Sequence, residues 1–214
     1  ALNNGLTGLG NEAVTINDTS LALTVLNILD GNTTGTVNAA TVATLTGTAA
    51  DANTAYASSG ISGLGNEAVT LSDTSLASTV LNTLDGNTTG AVNASTVTTL
   101  TGLAADANTA YASSGISGLG NEAVTLTDTA AVALTLHTLD SNTTGSIDAA
   151  TVTSITGLSP TVITIYSSNG ITGLGNEAIT LSGNTSVANT NSVAALTTGV
   201  VTATITEGDM STLA

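Results

Sequence analysis

The chain has 214 residues, with 15 Asp and Glu, no Lys, Arg or Cys, and a formal net charge of −15. Nucleic-acid binding and attraction to anionic membranes need Lys or Arg, and disulfides and thiolate metal sites need Cys, so these classes are excluded. Hydrophobic residues make up 41% and charged residues only 7%, so the chain is no charge-dominated disordered segment, and its core must come from Ala, Val, Leu and Ile.

Internal repetition governs the rest. The string GLGNEA begins at Gly8, Gly63, Gly118 and Gly173, each 55 residues after the last. Glu12, Glu67, Glu122 and Glu177 keep this spacing, as do Asp30, Asp85 and Asp140 and Tyr56, Tyr111 and Tyr166. The fourth unit slips by one residue, Gly199 standing where a strict period places 200. The organisation reads as the end of a preceding repeat (1–10), three repeats (11–65, 66–120, 121–175) and a partial, divergent fourth (176–214). Both ends fall inside a repeat, which points to a window of a longer repetitive protein.

In the second copy, residues 68–71 form a β-type run, and Asp73, Thr74 and Ser75 are N-cap residues for a helix over 76–84. Leu76, Val80, Leu81 and Leu84 fall on one helical face and are expected in the core. DGNTTG (85–90) ends that helix with turn chemistry, and residues 91–92 make a very short strand. Asn93 reads as a second cap, Val97 and Leu100 as helical neighbours and Gly102 as a helix stop. LAADANTAYASSG (103–115) suits a helix, but its third-copy counterpart LSPTVITIYSSNG (158–170) is rich in β-branched residues and argues against one.

Each half-repeat is then a strand, a capped helix and a return loop. The halves average about 27 residues, the length of a solenoid coil with one strand and one helix. The fold class expected is an α/β repeat protein: a solenoid of short parallel strands and short helices, two coils per repeat. The alternatives are tandem small domains or all-β repeats. Units of this size with a single Tyr each and no metal or disulfide would be marginal alone, which favours the solenoid.

GLGNEAVTLSDTS, LNTLDGNTTG, STVTTLTGLAADANTAYASSGI and GVVTATITEGDMSTLA resemble the tandem repeats of very large secreted or cell-surface proteins of marine cyanobacteria. The resemblance covers essentially the whole chain and implies an extracellular surface or matrix component. The glycine- and aspartate-rich nonapeptides that bind calcium elsewhere in such proteins are absent, so calcium binding is not implied, and no catalytic residues come with the resemblance.

The sole histidine, His137, has Asn82 as its counterpart one period earlier, which suits a polar helix position better than a catalytic one. The remaining Ser and Asp residues belong to repeated patterns, so no enzyme activity is expected. The best metal candidate is DGNTTG, whose oxygens fall at loop positions one, three and five before a glycine at six. These are Asp30, Asn32 and Thr34; Asp85, Asn87 and Thr89; and Asp140, Asn142 and Thr144. The twelfth position is Thr41, Thr96 or Thr151 rather than acidic, so calcium would bind weakly and the bland reading is a polar turn. Asn32, Asn87 and Asn142 also open glycosylation-type triplets, again best read as turns. Stacked coils would bring the four Glu of GLGNEA into line. Two coils at about 4.8 Å each put neighbours roughly 10 Å apart. Repulsion across water is then about 0.4 kcal/mol per pair, and high salt screens it. The function expected is an extracellular structural protein of a surface layer, fibre or matrix, assembling with further copies of itself. A calcium-dependent adhesive module is the alternative. Threonine arrays on stacked coils make an ice-binding surface the remote one.

Overall fold

The computed structural model describes residues 10–206. The segments that open and close the sequence, among them most of the expected 1–10 fragment, lie outside the described residues. Along the chain the elements are β1 (Val14–Thr15), β2 (Ser20–Ala22), α1 (Leu23–Asn32), β3 (Val37–Asn38), β4 (Thr44–Gly47), α2 (Ala49–Ala57), β5 (Ile61–Ser62) and β6 (Ala68–Leu71). There follow β7 (Ser75–Ala77), α3 (Ser78–Asn87), β8 (Val92–Asn93), β9 (Thr99–Gly102), α4 (Ala104–Ala112), β10 (Ile116–Ser117), β11 (Ala123–Leu126) and β12 (Ala130–Val132). The last are α5 (Ala133–Asn142), β13 (Ile147–Asp148), β14 (Ser154–Gly157), α6 (Ser159–Ser167), β15 (Ile171–Thr172), β16 (Ala178–Thr185), α7 (Val187–Ala194) and β17 (Val201–Ile205).

The chain forms two compact units, one from residues up to Thr98 with Ala112–Leu119, the other from Thr99–Tyr111 with residues from Gly120 onward. Each is an α/β solenoid whose strand pairs are parallel. In the first, β1-β3-β5 form one sheet and β2-β4-β6-β8-β10 another, while α1 packs on α2 and α2 on α3. In the second, β9-β11-β13-β15 and β12-β14-β16-β17 are the sheets, and α6 packs between α5 and α7.

The register fixes the coil. Ser20 pairs with Thr44 and Thr44 with Ala68, a step of 24 residues. Two such steps leave seven residues of the 55-residue repeat, and they take the form of an extra strand. In the first unit β5, β6 and β7 begin seven residues apart, at Ile61, Ala68 and Ser75. β5 ends the first sheet, β6 continues the second and β7 belongs to neither. The helix that follows is thereby set one strand further along than its predecessor, and the second unit makes the same change of sheet between β11 and β12.

Several expectations are corrected. A coil holds two strands and a helix, rather than one strand and one helix. Residues 99–102 are the strand β9, not the end of a helix: Leu100 is buried between half-buried Thr99 and Thr101, the two-residue alternation of a strand. The helix expected over 76–84 is α3, and Leu76 is buried from the strand before it, while Leu81 and Leu84 are buried in the helix and Val80 is only half-buried. Asp73, Thr74 and Ser75 do not cap α3, whose N-cap is Ala77 with no side-chain cap bond, and Asn93 caps no helix: its Oδ1 accepts from Ser95 N at 3.0 Å in a local turn. The β-branched segment of the third copy is helical (α6). Its buried row Ser159, Val162 and Ile165 repeats the Ala49, Ala52 and Ala55 row of α2 at three-residue spacing. A β-branched residue costs a helix about 0.5 kcal/mol, whereas fully burying Val or Ile stabilises by roughly 1.5–3 kcal/mol, so packing overrides propensity.

Candidate functional site

The two most conspicuous motifs of the sequence meet in space. The Thr-Thr-Gly of each DGNTTG turn closes on GLGNEA of the preceding coil. Thr88 Oγ1 donates to Glu67 O at 2.7 Å, and Thr89 N donates to Gly65 O at 2.9 Å. A Cβ on Gly90 would stand 2.2 Å from Glu67 O, so only glycine allows this approach. Thr33 and Gly35 on Glu12, Thr143 and Gly145 on Glu122, and Thr197 and Gly199 on Glu177 repeat the clamp. The one-residue slip of the fourth copy leaves it intact, α7 having eight residues where α3 has ten.

Inside the clamp sits a carboxylate. Glu67, Glu122 and Glu177 are fully buried, whereas Glu12 is exposed. Glu67 Oε2 accepts from Tyr56 OH at 3.0 Å, Gly65 N at 2.8 Å and Asn66 N at 3.2 Å. Glu122 repeats the set with Tyr111, Gly120 and Asn121. Glu177 does so with Tyr166, Gly175 and Asn176. Oε1 of Glu67 and of Glu122 has no hydrogen-bond partner among the described residues. The expected water-exposed ladder of glutamates is therefore corrected for these three: each charge is buried among its own N–H and O–H donors. Each tyrosine is pushed well above its ordinary range, by burial first and by the adjacent glutamate, partly offset by the nearby Thr88, Thr143 or Thr197 hydroxyl. Sequence reading found Tyr and Glu as separate periodicities. Their constant separation of 11 residues was the available signal that they pair.

The candidate calcium oxygens point to different neighbours. Asp30, Asp85 and Asp140 end their helices and accept from Ser58, Ser113 and Ser168 of the next coil, at 2.7 Å for the first two. Asn87 Nδ2 donates to Asn53 Oδ1 and Asn142 Nδ2 to Asn108 Oδ1, both at 3.0 Å, while Asn32 is exposed. The hydroxyls of Thr34, Thr89 and Thr144 donate to the carbonyls of Gly10, Gly65 and Gly120. Among the described residues, no group of three or more His, Asp or Glu is placed to hold a metal ion. His137 is half-buried on α5, its Nδ1 without a hydrogen-bond partner among the described residues, where Asn27 of the first copy donates to Asp51 O at 3.0 Å.

Asp73, expected as a cap for α3, caps α2 instead. Its Oδ2 accepts from Ala49 N at 2.8 Å, and Asp128 does the same for Ala104 N of α4. Outside the helices, where Thr54, Thr83, Thr109, Thr138 and Thr164 bond back to carbonyls of their own helix, two further sets of threonines stand out. Those of the turns staple coils, as above. Some of those in the sheets stand in exposed rows by register, Thr46 beside Thr70 in one unit and Thr156, Thr180 and Thr202 in the other. Asn93 follows Thr70, and Asp148 follows Thr125, so polar and charged residues interrupt the rows.

No protein-family model, curated protein or solved structure matches the chain. Among the described residues, no helix is long and apolar enough to cross a membrane.

Proposed function

We propose that this is an extracellular structural repeat protein, an element of a surface layer, fibre or matrix that assembles with further copies of itself. The observation that carries the reading is the use made of the recurrent polar residues. Asp30, Asp73, Asp85, Thr88, Tyr56 and Glu67 each bond to a backbone or side-chain group of the fold, and their counterparts do the same one repeat on. Chemistry committed to stapling coils recurs with every copy, as a scaffold requires, whereas a catalytic constellation stands once. The edge of the last sheet supports addition of another strand. β17 is the outermost strand of that sheet among the described residues, its Val201 and Ile205 are half-exposed and Val200 is 73% exposed. The absence of Lys and Arg removes every trypsin-type cleavage site, which suits persistence outside a cell.

With a net charge of −15, copies repel one another at low ionic strength and approach once salt screens them. Light scattering over a salt and concentration series tests the reading, with negative-stain images of the scattering fractions. Growth of extended assemblies with salt is the expected result, and a monomer at every salt and protein concentration overturns it.

A further inference from the structure

One helix, α6, lacks a cap that its counterparts have, and a cavity stands beside its start. α2 and α4 each have an aspartate carboxylate on their first N–H, supplied from 24 residues further along by Asp73 and Asp128. The corresponding position for α6 is Gly183, and α6 has no side-chain cap. A Cβ on Gly183 would meet only Leu158, the N-cap of α6, at 3.7 Å, so the lost side chain belongs beside this helix start. Between the flanking Ser182 and Asn184 and this helix start is a cavity of about 310 Å³. It is bounded by the starts of two helices, at Ser159 of α6 and at Ser186, the N-cap of α7, whose positive dipole ends both face it.

A second observation is independent of the helix ends. Ser159 and Thr185 line the cavity and are only 6% and 5% exposed. Thr185 Oγ1 donates to Ser159 Oγ at 3.2 Å, and neither hydroxyl makes another hydrogen bond among the described residues. Two hydroxyls carry two protons, so the Ser159 hydroxyl proton has no acceptor among the described residues. That proton is a donor held at the cavity wall. Asn184 and Asn189 add amide donors, and among the described residues no carboxylate lines the space. In a chain with 15 acidic residues, this is a concavity whose described lining carries donors and no carboxylate, where two other copies seat an acid.

We propose that the cavity binds the carboxylate of a small organic acid, which takes the place that Asp73 and Asp128 hold in the other copies. One oxygen accepts from the Ser159 N–H, as the aspartates do, and the carboxylate also takes the free proton of the Ser159–Thr185 pair. The volume exceeds a carboxyl group, so the acid carries further atoms, and the flanking amides and hydroxyls of Asn184, Ser186 and Asn189 suit hydroxyl substituents.

Acetate, the simplest probe, is titrated into the ¹⁵N-labelled 214-residue chain, with sulfate and chloride at matched ionic strength as parallel arms. The Ser159 amide resonance is expected to shift saturably with acetate alone, while those of Ala49 and Ala104, already capped, stay in place. Ser159→Ala should weaken acetate binding by roughly tenfold, the loss of one hydrogen bond to a charged group. Gly183→Asp should abolish it by restoring a tethered carboxylate, at a left-handed position (φ 73°) that Asp tolerates. If that variant fails to fold, Ser159→Ala decides. An unmoved Ser159 amide, an equal response to sulfate or chloride, or unchanged binding by Ser159→Ala overturns the proposal.

Discussion

Glu122 shows how a chain without cationic side chains holds a buried charge. Its donors are two backbone N–H groups and the Tyr111 hydroxyl, converging on one oxygen. Hydrogen bonds to a charged group are worth about 1.5–3 kcal/mol, so Tyr111→Phe should lower the unfolding free energy by about 2 kcal/mol in urea titration. The tyrosines also set an alkaline limit. Their pKa is raised in the folded chain above the ordinary 10.0, so above pH 10 the unfolded chain releases protons that the folded one keeps. Stability is therefore unaffected by these groups below pH 10 and falls as pH rises past it. Absorbance titration should show tyrosine ionisation displaced upward in the native protein and returned to the ordinary range in denaturant. Glycine gives a sharper contrast. Gly90→Ala places a methyl 2.2 Å from Glu67 O and should cost several kcal/mol, enough to lower the melting temperature steeply. Gly86, in α3 with nothing within 4 Å of an added Cβ, should gain up to ~1 kcal/mol on change to Ala.

At the scale of elements, α2 and α4 are capped from the neighbouring coil. Asp73→Ala should destabilise by about 1 kcal/mol, and hydrogen exchange should quicken in the first turn of α2 rather than in α3, which follows Asp73 in sequence. This division marks what was legible in the sequence. The strand at 68–71, the parallel solenoid and the burial of Leu81 and Leu84 follow from periodicity, a local signal. The partners of Asp73, Thr88 and Glu67 lie 24, 21 and 11 residues away, and the coil step that joins them is not written in any single segment. Val97 and Leu100 misled because two buried residues three apart fit a helix as well as a turn running into a strand. In the candidate calcium loop the oxygen spacing is real, but helix geometry holds Asp85 and Asn87 while the following threonines turn to GLGNEA.

For the molecule as a whole, the coil and the repeat are different units of construction. Coils alternate in chemistry, those with Thr-Thr-Gly clamps between those with Ser-X-Gly turns (X being Ser or Asn), so a neighbour of the wrong kind offers no partner. Deleting residues 66–120 joins Gly65 to Asn121 and preserves every motif spacing. Circular dichroism and thermal melting should report a folded protein. Deleting one 24-residue coil, residues 68–91, strips Glu67 of Thr88 and Gly90 and should give a loosened chain without a cooperative melt. The extra seven-residue strand makes this rule strict, since a whole repeat returns helix and sheet to phase together and a single coil does not. Translated to the gene, the array can lengthen or shorten only by exchanges a full repeat in size. Misaligned recombination out of that step yields a product that does not fold, and recombination in step keeps the copies alike.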